Sequence, residues 1–311
     1  MASRKIILLG DKPSVQHGEN FAREALKQCL EGLGKDVAID WKFRMTNLFA
    51  DSDDIWLFAG ESVKANLMES VLIFWNAILL RKRVRLYFHN RSIRFYGKYL
   101  GWIRTLGRVD FVLISPFQKR FVPWGHLLSN YIRVAPEASP APPVKRLVWM
   151  SRIEKGKGFL VALDIYRQLC ASDPEWSFCV IGPKGDVDTS QLEGLDYRGP
   201  LYEDAKFEAL SGGGIFIFPS QYRNETQPLV VAEAMSKGLP VVISDVNEID
   251  HMINCSEPPG KAIPEGAVEA GVSAVREIHA RYESYSRAAL ARFESEYSES
   301  AFISRLRKMG Y

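Results

Sequence analysis

A chain of 311 residues, 47% hydrophobic and 25% charged, has an ordinary globular composition, and its length favours two domains because single cores stop growing efficiently near this size. The longest apolar run, residues 71–80, is half of the roughly twenty residues a membrane-spanning helix needs and contains Asn76, which excludes an integral membrane protein of helical type. The formal charge of +3 hides an asymmetry: residues 1–143 hold 21 Lys and Arg against 13 Asp and Glu, and residues 144–311 hold 19 against 24.

The amino-terminal half alternates strands and helices. Residues 5–10 read as a first strand without the length of a signal peptide, and residues 19–33 as an amphipathic helix. Further strands are expected at 37–41, 55–60, 84–89, 109–115 and 131–135. Helices are expected at 62–80, capped by Ser62, at 93–106, and from Pro116 toward Leu128. Strands separated by helical stretches imply a parallel sheet covered on both faces. Between Arg81 and Arg108 stand nine basic residues and no acid, interleaved with Tyr87, Phe88, Phe95, Tyr96, Tyr99 and Trp102. Such a segment suits an anionic membrane surface, the apolar run at 71–80 lying just upstream, and no nucleic-acid partner is expected. A solvated basic face is the plainer alternative.

Residues 137–144 are proline-rich without an apolar period and read as a linker. The same rhythm then resumes. A strand at 145–150 leads into the loop Ser151-Arg-Ile-Glu-Lys-Gly-Lys-Gly158, a helix at 159–171, and a strand at 176–181 ending in Gly182-Pro-Lys-Gly185. A short strand ends at Gly199, a helix covers 202–210, and the tail from about residue 267 is helical by pattern. Cys29, Cys170, Cys179 and Cys255 stand far apart without paired spacing, as reduced thiols of a cytoplasmic protein do.

The most informative stretch is 214–245. An apolar run ends at Pro219, a polar loop carries Arg223, Asn224 and Glu225, a helix opens at Pro228 and stops at Gly238, and a second apolar run covers 240–243. Proline suits the first helical position and glycine the exit. The free amides of the first turn form an anion site at the tip of a parallel sheet, within the binding stretch Thr226, Gln227, Pro228, Leu229 and Val230. Glu225 precedes that site, and Glu233 lies about one and a half turns beyond it. Two carboxylates flanking a phosphate site suit a ligand with phosphates in the middle and hydroxyls on both sides.

The spacing Glu225-x7-Glu233, followed by Ala-Met-Ser-Lys-Gly-Leu-Pro-Val-Val, resembles the C-terminal half of retaining glycosyltransferases of the GT-B architecture. The similarity is to family four, the group 1 glycosyltransferases of bacterial lipopolysaccharide, capsule and exopolysaccharide assembly. The resemblance implies an α/β fold of two Rossmann-like domains with parallel sheets facing across a cleft. It places an acceptor-binding domain at 1–136, with a helix at about 295–311 crossing back, and a nucleotide-sugar domain at 145–294. It gives Glu225 the donor-sugar hydroxyls and Glu233 the ribose. Arg152 and Lys157, in Arg-Ile-x-x-x-Lys-Gly, become the cations on the diphosphate, His89 the group near the reacting carbon, and Gly182 and Gly199 the loops beside base and ribose.

Gly18 stands where relatives usually carry a glycine pair, and Asn247, Glu248 and His251 replace a common Gly-Gly and Glu after Asp245. Neither a metal nor another cofactor is implied, since Asp51-Ser-Asp-Asp54 reads as a polar turn before a strand. The implied partners are a nucleotide-diphosphate sugar and a glycan or lipid-linked acceptor, at the cytoplasmic face of a membrane. A non-catalytic nucleotide-sugar-binding module and a GT-B nucleotide-sugar epimerase remain the alternatives.

Overall fold

A computed structural model of the protein describes residues 5–9, 18–40, 52–58, 70–88, 93–99, 101–137, 139–223, 225–246 and 249–311. The chain divides into two compact units, one of residues 1–131 with 299–311 and one of residues 132–298.

The first unit is built on a six-stranded parallel sheet of order β2-β1-β3-β4-β5-β6. Its strands are β1 (Lys5–Leu9), β2 (Asp36–Asp40), β3 (Asp54–Phe58), β4 (Arg83–Phe88), β5 (Val109–Leu113) and β6 (His126–Leu127). Neighbouring side chains on a strand face opposite ways. In β3, Ile55 and Leu57 join one core with Leu86, Phe88 and Phe111, whereas Trp56 and Phe58 join a second core with Tyr87 and Val112. Both faces are therefore buried, which is why these strands read as nearly unbroken apolar runs.

The second core is covered by α1 (Gly18–Gly32), through Leu26 and Leu30, and by α8 (Glu299–Lys308). Phe302 and Leu306 of α8 are buried there, with Phe302 4.9 Å from the Tyr131 ring. Side chains of this kind contribute about 1.5–3 kcal/mol each on full burial.

Arg85 lies in mid-strand and is fully buried. Its guanidinium is paired with the Asp54 carboxylate and lies 3.4 Å from Asp110. The Tyr311 hydroxyl completes the cluster, donating to Asp54 at 2.7 Å and accepting from Trp56 Nε1 at 2.7 Å. Asp54 of the Asp-Ser-Asp-Asp sequence is thus a structural counter-ion at the start of β3.

Several expected elements differ. The part of the 62–80 helix that is described ends as a π-helix, Phe74–Leu79, and its Ser62 cap lies outside the described residues. The 93–106 helix is two pieces, α2 (Ile93–Tyr99) and a 3₁₀ helix Gly101–Leu106. Gly97 and Gly101 weaken a continuous helix, and the Trp124 ring would lie 3.3 Å from any Cβ on Gly101. The helix opened by Pro116 stops at Arg120, because Pro123 and Gly125 follow and lead into β6. Residues 131–135 form no strand.

The second unit carries a six-stranded parallel sheet of order β12-β11-β10-β7-β8-β9. The strands are β7 (Arg146–Met150), β8 (Ser177–Ile181), β9 (Asp196–Gly199), β10 (Ile215–Phe218), β11 (Val241–Ser244) and β12 (Gly260–Ile263). The pattern Gly-Lys-Ala-Ile hid β12, since only its end residues are buried. A Cβ on Gly260 would meet the Val241 carbonyl oxygen at 1.9 Å, so only glycine lets this strand close on β11. Helices α3 (Phe159–Ser172), α4 (Glu203–Ser211), α5 (Leu229–Ser236), α6 (Val268–Ala280) and α7 (Tyr282–Glu296) belong to this unit, and the helical tail consists of α6, α7 and α8. Residues expected as linker dock on this unit: Ala141 is buried, its amide donates to Ser286 Oγ at 2.9 Å, and Glu137 pairs with Lys237 at 2.9 Å.

Tyr311→Phe keeps the ring but removes the hydroxyl that Trp56 and Asp54 share. Chemical denaturation should report a loss of about 1–3 kcal/mol, the cost of buried polar groups left without a partner.

Candidate functional site

In an open parallel sheet, ligands bind beyond the carboxyl ends of the strands where the strand order reverses. In the second unit that point lies between β7 and β10, with β8 and β9 running outward on one side and β11 and β12 on the other. The loops leaving β7 and β10 are those that carry Arg152, Lys157 and Glu225.

The β7 loop runs along the β8 loop, Ile153 donating to the Pro183 carbonyl at 3.0 Å, and tightens into a 3₁₀ turn, Lys155–Lys157. Gly158 ends the turn at φ 83°, and a Cβ there would lie 1.8 Å from the Pro219 carbonyl oxygen. The β7 and β10 loops are therefore in backbone contact, and the Gln221 amide donates to the Gly156 carbonyl at 3.0 Å. This contact brings the Lys157 ammonium onto the Glu225 carboxylate, with only 14% and 10% of the two side chains exposed. The Tyr222 ring lies 4.6 Å from the same ammonium, and the buried Ser220 donates to Glu225 Oε1 at 3.5 Å. The geometry brings together one cation, one carboxylate, a hydroxyl and an aromatic ring, all at the switch point.

Pro228 caps α5 without itself being helical (φ −64°, ψ 113°), one residue earlier than its expected role as first helical residue. Leu229 and Val230 precede the first bond of the turn, from the Val231 amide to the Pro228 carbonyl at 3.1 Å. Their amides thus stand at the positive end of the helix. Thr226 and Gln227 lead in, and Gln227 is buried.

At the far end, Gly238 bonds back to Met235 at 3.0 Å and Leu239 to Ala234 at 3.1 Å, the paired bonds of a Schellman stop, with Gly238 at φ 70°. Glu233, 8% exposed, accepts from the Lys206 ammonium at 2.6 Å. Lys206 sits on α4, and no pattern in Glu-Asp-Ala-Lys distinguished it from a solvated lysine. Ser220 and Tyr222 were likewise invisible as partners, although both flank Glu225 in sequence.

Arg152 follows a different course. Its side chain is 58% exposed and pairs with Glu154 at 2.7 Å, not with the Lys157–Glu225 pair. Gly182, at the end of β8, has φ 141° and leaves no room for a Cβ, which would meet the Ser151 carbonyl oxygen at 1.9 Å. Its amide donates to the Gly199 carbonyl at 2.8 Å, and the Tyr197 hydroxyl donates to the Gly182 carbonyl at 3.1 Å. Gly199 itself is at φ 68° with open space beside it. In the first unit Gly18 begins α1, while His89 and the loop at 10–17 lie outside the described residues, as do Asn224, Asn247 and Glu248. His251 lies on a 3₁₀ turn beyond β11, where burial, with Arg292 nearby, lowers its pKa to about 4. Among the described residues no cluster of three His, Cys, Asp or Glu suits a metal ion.

Known proteins resemble the chain at two levels, sequence and fold. Residues 144–281 match the family described as Glycosyl transferases group 1. That match makes the second unit similar to group 1 glycosyltransferases. An uncharacterised glycosyltransferase of Haemophilus influenzae is 25% identical over 248 residues, covering 75% of this chain and 69% of the relative.

The whole chain has the GT-B fold of solved glycosyltransferases. A glycosyltransferase from Rickettsia africae superposes with a TM-score of 0.74 at 12% identity, covering 99% of this chain and 98% of that one. The lipopolysaccharide outer core galactosyltransferase WaaB gives 0.69 at 13% identity with 98% of each chain covered. Anabaena HepE, solved in complex with UDP and glucose, gives 0.68 at 12% identity, covering 98% of this chain and 99% of that one.

Gly158→Ala forces a side chain into a left-handed backbone and against Pro219. It should cost at least about 2 kcal/mol in a melting experiment, and it should spread the β7 and β10 loops. Acid should also weaken this unit. A folded-state pKa of about 4 for His251 lies below its ordinary value of 6.5, so the unfolded chain binds the extra proton between those values. The contribution is complete above about pH 6.5 and is lost as pH falls toward 4, with a slope of at most about 1.4 kcal/mol per pH unit. His251→Gln should flatten that part of the stability–pH curve measured by denaturant melts.

Proposed function

We propose that the protein is a retaining glycosyltransferase that moves a sugar from a nucleotide-diphosphate sugar to a hydroxyl of a glycan or lipid-linked acceptor in surface polysaccharide assembly. The carrying observation is the Lys157–Glu225 pair at the switch point of the second sheet, beside the amino end of α5. Without ligand the two charges satisfy each other. A sugar diphosphate offers each a better partner: phosphate oxygens for the ammonium, sugar hydroxyls for the carboxylate.

In this reading the donor's diphosphate lies over the α5 amides of Leu229 and Val230, with Lys157 and Arg152 supplying cationic charge. Arg152 would leave Glu154 to do so. Glu233, held by Lys206, takes the ribose hydroxyls, and Gly182 and Gly199 border the base. Gly18 and His89 belong to the acceptor side in the first unit. The acceptor oxygen forms a bond to the anomeric carbon as the bond from that carbon to the β-phosphate oxygen breaks. The acceptor proton passes to the departing phosphate on the same face, so the anomeric configuration is kept. Charge growing on the leaving diphosphate is met by cations and a helix terminus fixed in advance. The reaction so written requires no divalent cation. The site of action is the cytoplasm, with peripheral attachment to the membrane.

Support for the donor side comes from HepE, which was solved with UDP and glucose, and for the acceptor class from WaaB, which acts in the lipopolysaccharide outer core.

The test is a thermal-shift panel of nucleotide sugars followed by single-turnover release of nucleotide diphosphate. A donor at a hundred times its dissociation constant should stabilise the protein by about 2.7 kcal/mol. Release should depend on added acceptor, survive a chelator, and yield product of unchanged anomeric configuration by NMR. Glu225→Ala and Lys157→Ala should each lower turnover at least about 100-fold while circular dichroism shows the fold retained, the scale seen when one transition-state charge partner is removed. Turnover of the wild-type order in either variant refutes the assignment. Donor binding without acceptor-dependent release would mark a binding module, and conversion of the sugar alone an epimerase.

A further inference from the structure

The last strand of the first sheet is too short to cover its neighbour. β6 has two residues, and they pair with Val112 and Leu113 of β5. Among the described residues, no strand lies beside Val109, Asp110 and Phe111 on that side. The uncovered edge opens into a pocket of about 390 Å³, lined in addition by Arg104, Thr105, Trp124 and His126. It lies toward the amino end of β5, away from the carboxyl-end loops where an open parallel sheet takes its ligands. The donor chemistry uses none of its residues.

The lining groups divide by chemistry. Val109, Phe111 and the Trp124 ring supply apolar surface, and Trp124 is 36% exposed. The exposed Arg104 guanidinium lies 4.2 Å from the Trp124 ring centroid, and among the described residues no carboxylate pairs with it. Stacking fixes the plane of the guanidinium and leaves its N–H groups for an anion. Asp110 is the contrary group. Its carboxylate has the buried Arg85 Nε at 3.4 Å and His126 Nε2 at 3.9 Å, and a carboxylate offers acceptors for hydroxyl hydrogens. Thr105 donates its hydroxyl to the Trp102 carbonyl at 2.7 Å, which leaves the oxygen lone pairs for an incoming donor.

These groups select among ligands. A simple inorganic anion satisfies Arg104 but meets Asp110 with like charge. A purely apolar ligand takes water from both charged groups and pairs neither, which is costly. A neutral sugar satisfies Asp110 and leaves Arg104 without its anion. A sugar ring bearing a carboxylate answers all of them. Its carboxylate meets Arg104, its hydroxyls meet Asp110, His126 and Thr105, and its C–H groups lie on the apolar surface. We propose that this pocket is a noncatalytic binding site for a hexuronic acid unit, free or within an acidic glycan. Arg81, Arg83 and Arg108 are exposed at the amino ends of β4 and β5, and Arg108 donates to the Arg81 carbonyl at 2.7 Å. Their charge draws a polyanionic glycan to this end of the sheet. Single-stranded nucleic acid is also polyanionic but needs open stacking platforms, and Arg104 already covers the Trp124 ring. The use of the pocket, to hold an acceptor glycan by a unit other than the one that reacts, rests on the transferase reading; the binding itself does not.

The experiment is isothermal titration calorimetry of the full chain with trigalacturonate, its uncharged methyl ester, inorganic phosphate and an oligothymidylate. Trigalacturonate should bind, and the ester should bind at least about tenfold more weakly, the weight of one hydrogen bond to a charged group. Arg104→Gln should lose trigalacturonate affinity by a similar factor and abolish the difference between acid and ester. His126→Gln should weaken acid and ester alike. Both changed side chains are exposed, so unchanged circular-dichroism melts are expected. The nucleotide-sugar thermal shift should be the same in Arg104→Gln as in the unaltered chain, which separates a failure here from a failure of the donor reading. Absence of trigalacturonate binding, equal binding of the ester, undiminished binding by either variant, or tighter binding of phosphate or the oligothymidylate would overturn the proposal.

Discussion

Everything at the candidate site depends on the absence of one side chain. Gly158 lets the backbone after β7 touch the Pro219 carbonyl after β10, and no residue with a Cβ could occupy that position without moving one loop. Loop closure of this kind converts two strand tips into one surface. Lys157 and Glu225 are then a pair held from both sides, with their neighbours Tyr222 and Ser220 fixed by the same turn. The scaffold below is rigid for an ordinary reason: β7 and β10 are central, fully buried strands in parallel register, and α5 ends in a well-made glycine stop.

The first unit solves a different problem with similar means. Its sheet buries a charged residue in mid-strand, which is costly unless the charge is paired and hydrogen-bonded. Asp54 from β3, Asp110 from β5 and Tyr311 from beyond α8 all converge on Arg85 or its partner, so three distant parts of the chain share one electrostatic centre. Among the described residues of that region, Arg81, Arg83, Arg94, Lys98, Arg104 and Arg108 are exposed. A segment whose composition looked uniformly basic and aromatic is thus divided by the fold into a buried half and an exposed rim.

What the sequence made legible follows from locality. The strand, loop, helix and strand at 214–245 could be read directly because proline and glycine mark both helix ends and apolar runs mark both strands. The importance of Glu225 and Glu233 came from a resemblance carried by their spacing. The partnership of Lys157 with Glu225 was not legible, since 68 residues separate them and only the strand order brings them together. Lys206 was missed for the same reason. Arg85 gave no local sign of burial, because its counter-charge is 31 residues upstream. The short 3₁₀ pieces and β12 were misread or missed where glycine and proline set the backbone by tertiary fit, as at Gly101, Gly125 and Gly260.

The return of α8 to the first unit has a consequence for how the molecule is made. The second unit is continuous in sequence and holds all its own strands, so its core needs no residue from elsewhere in the chain. The first unit, although its strands are made earlier, has one sheet face covered by α1 alone until Phe302, Leu306 and Tyr311 arrive. Of the two bodies, only the later-made one is self-sufficient in sequence.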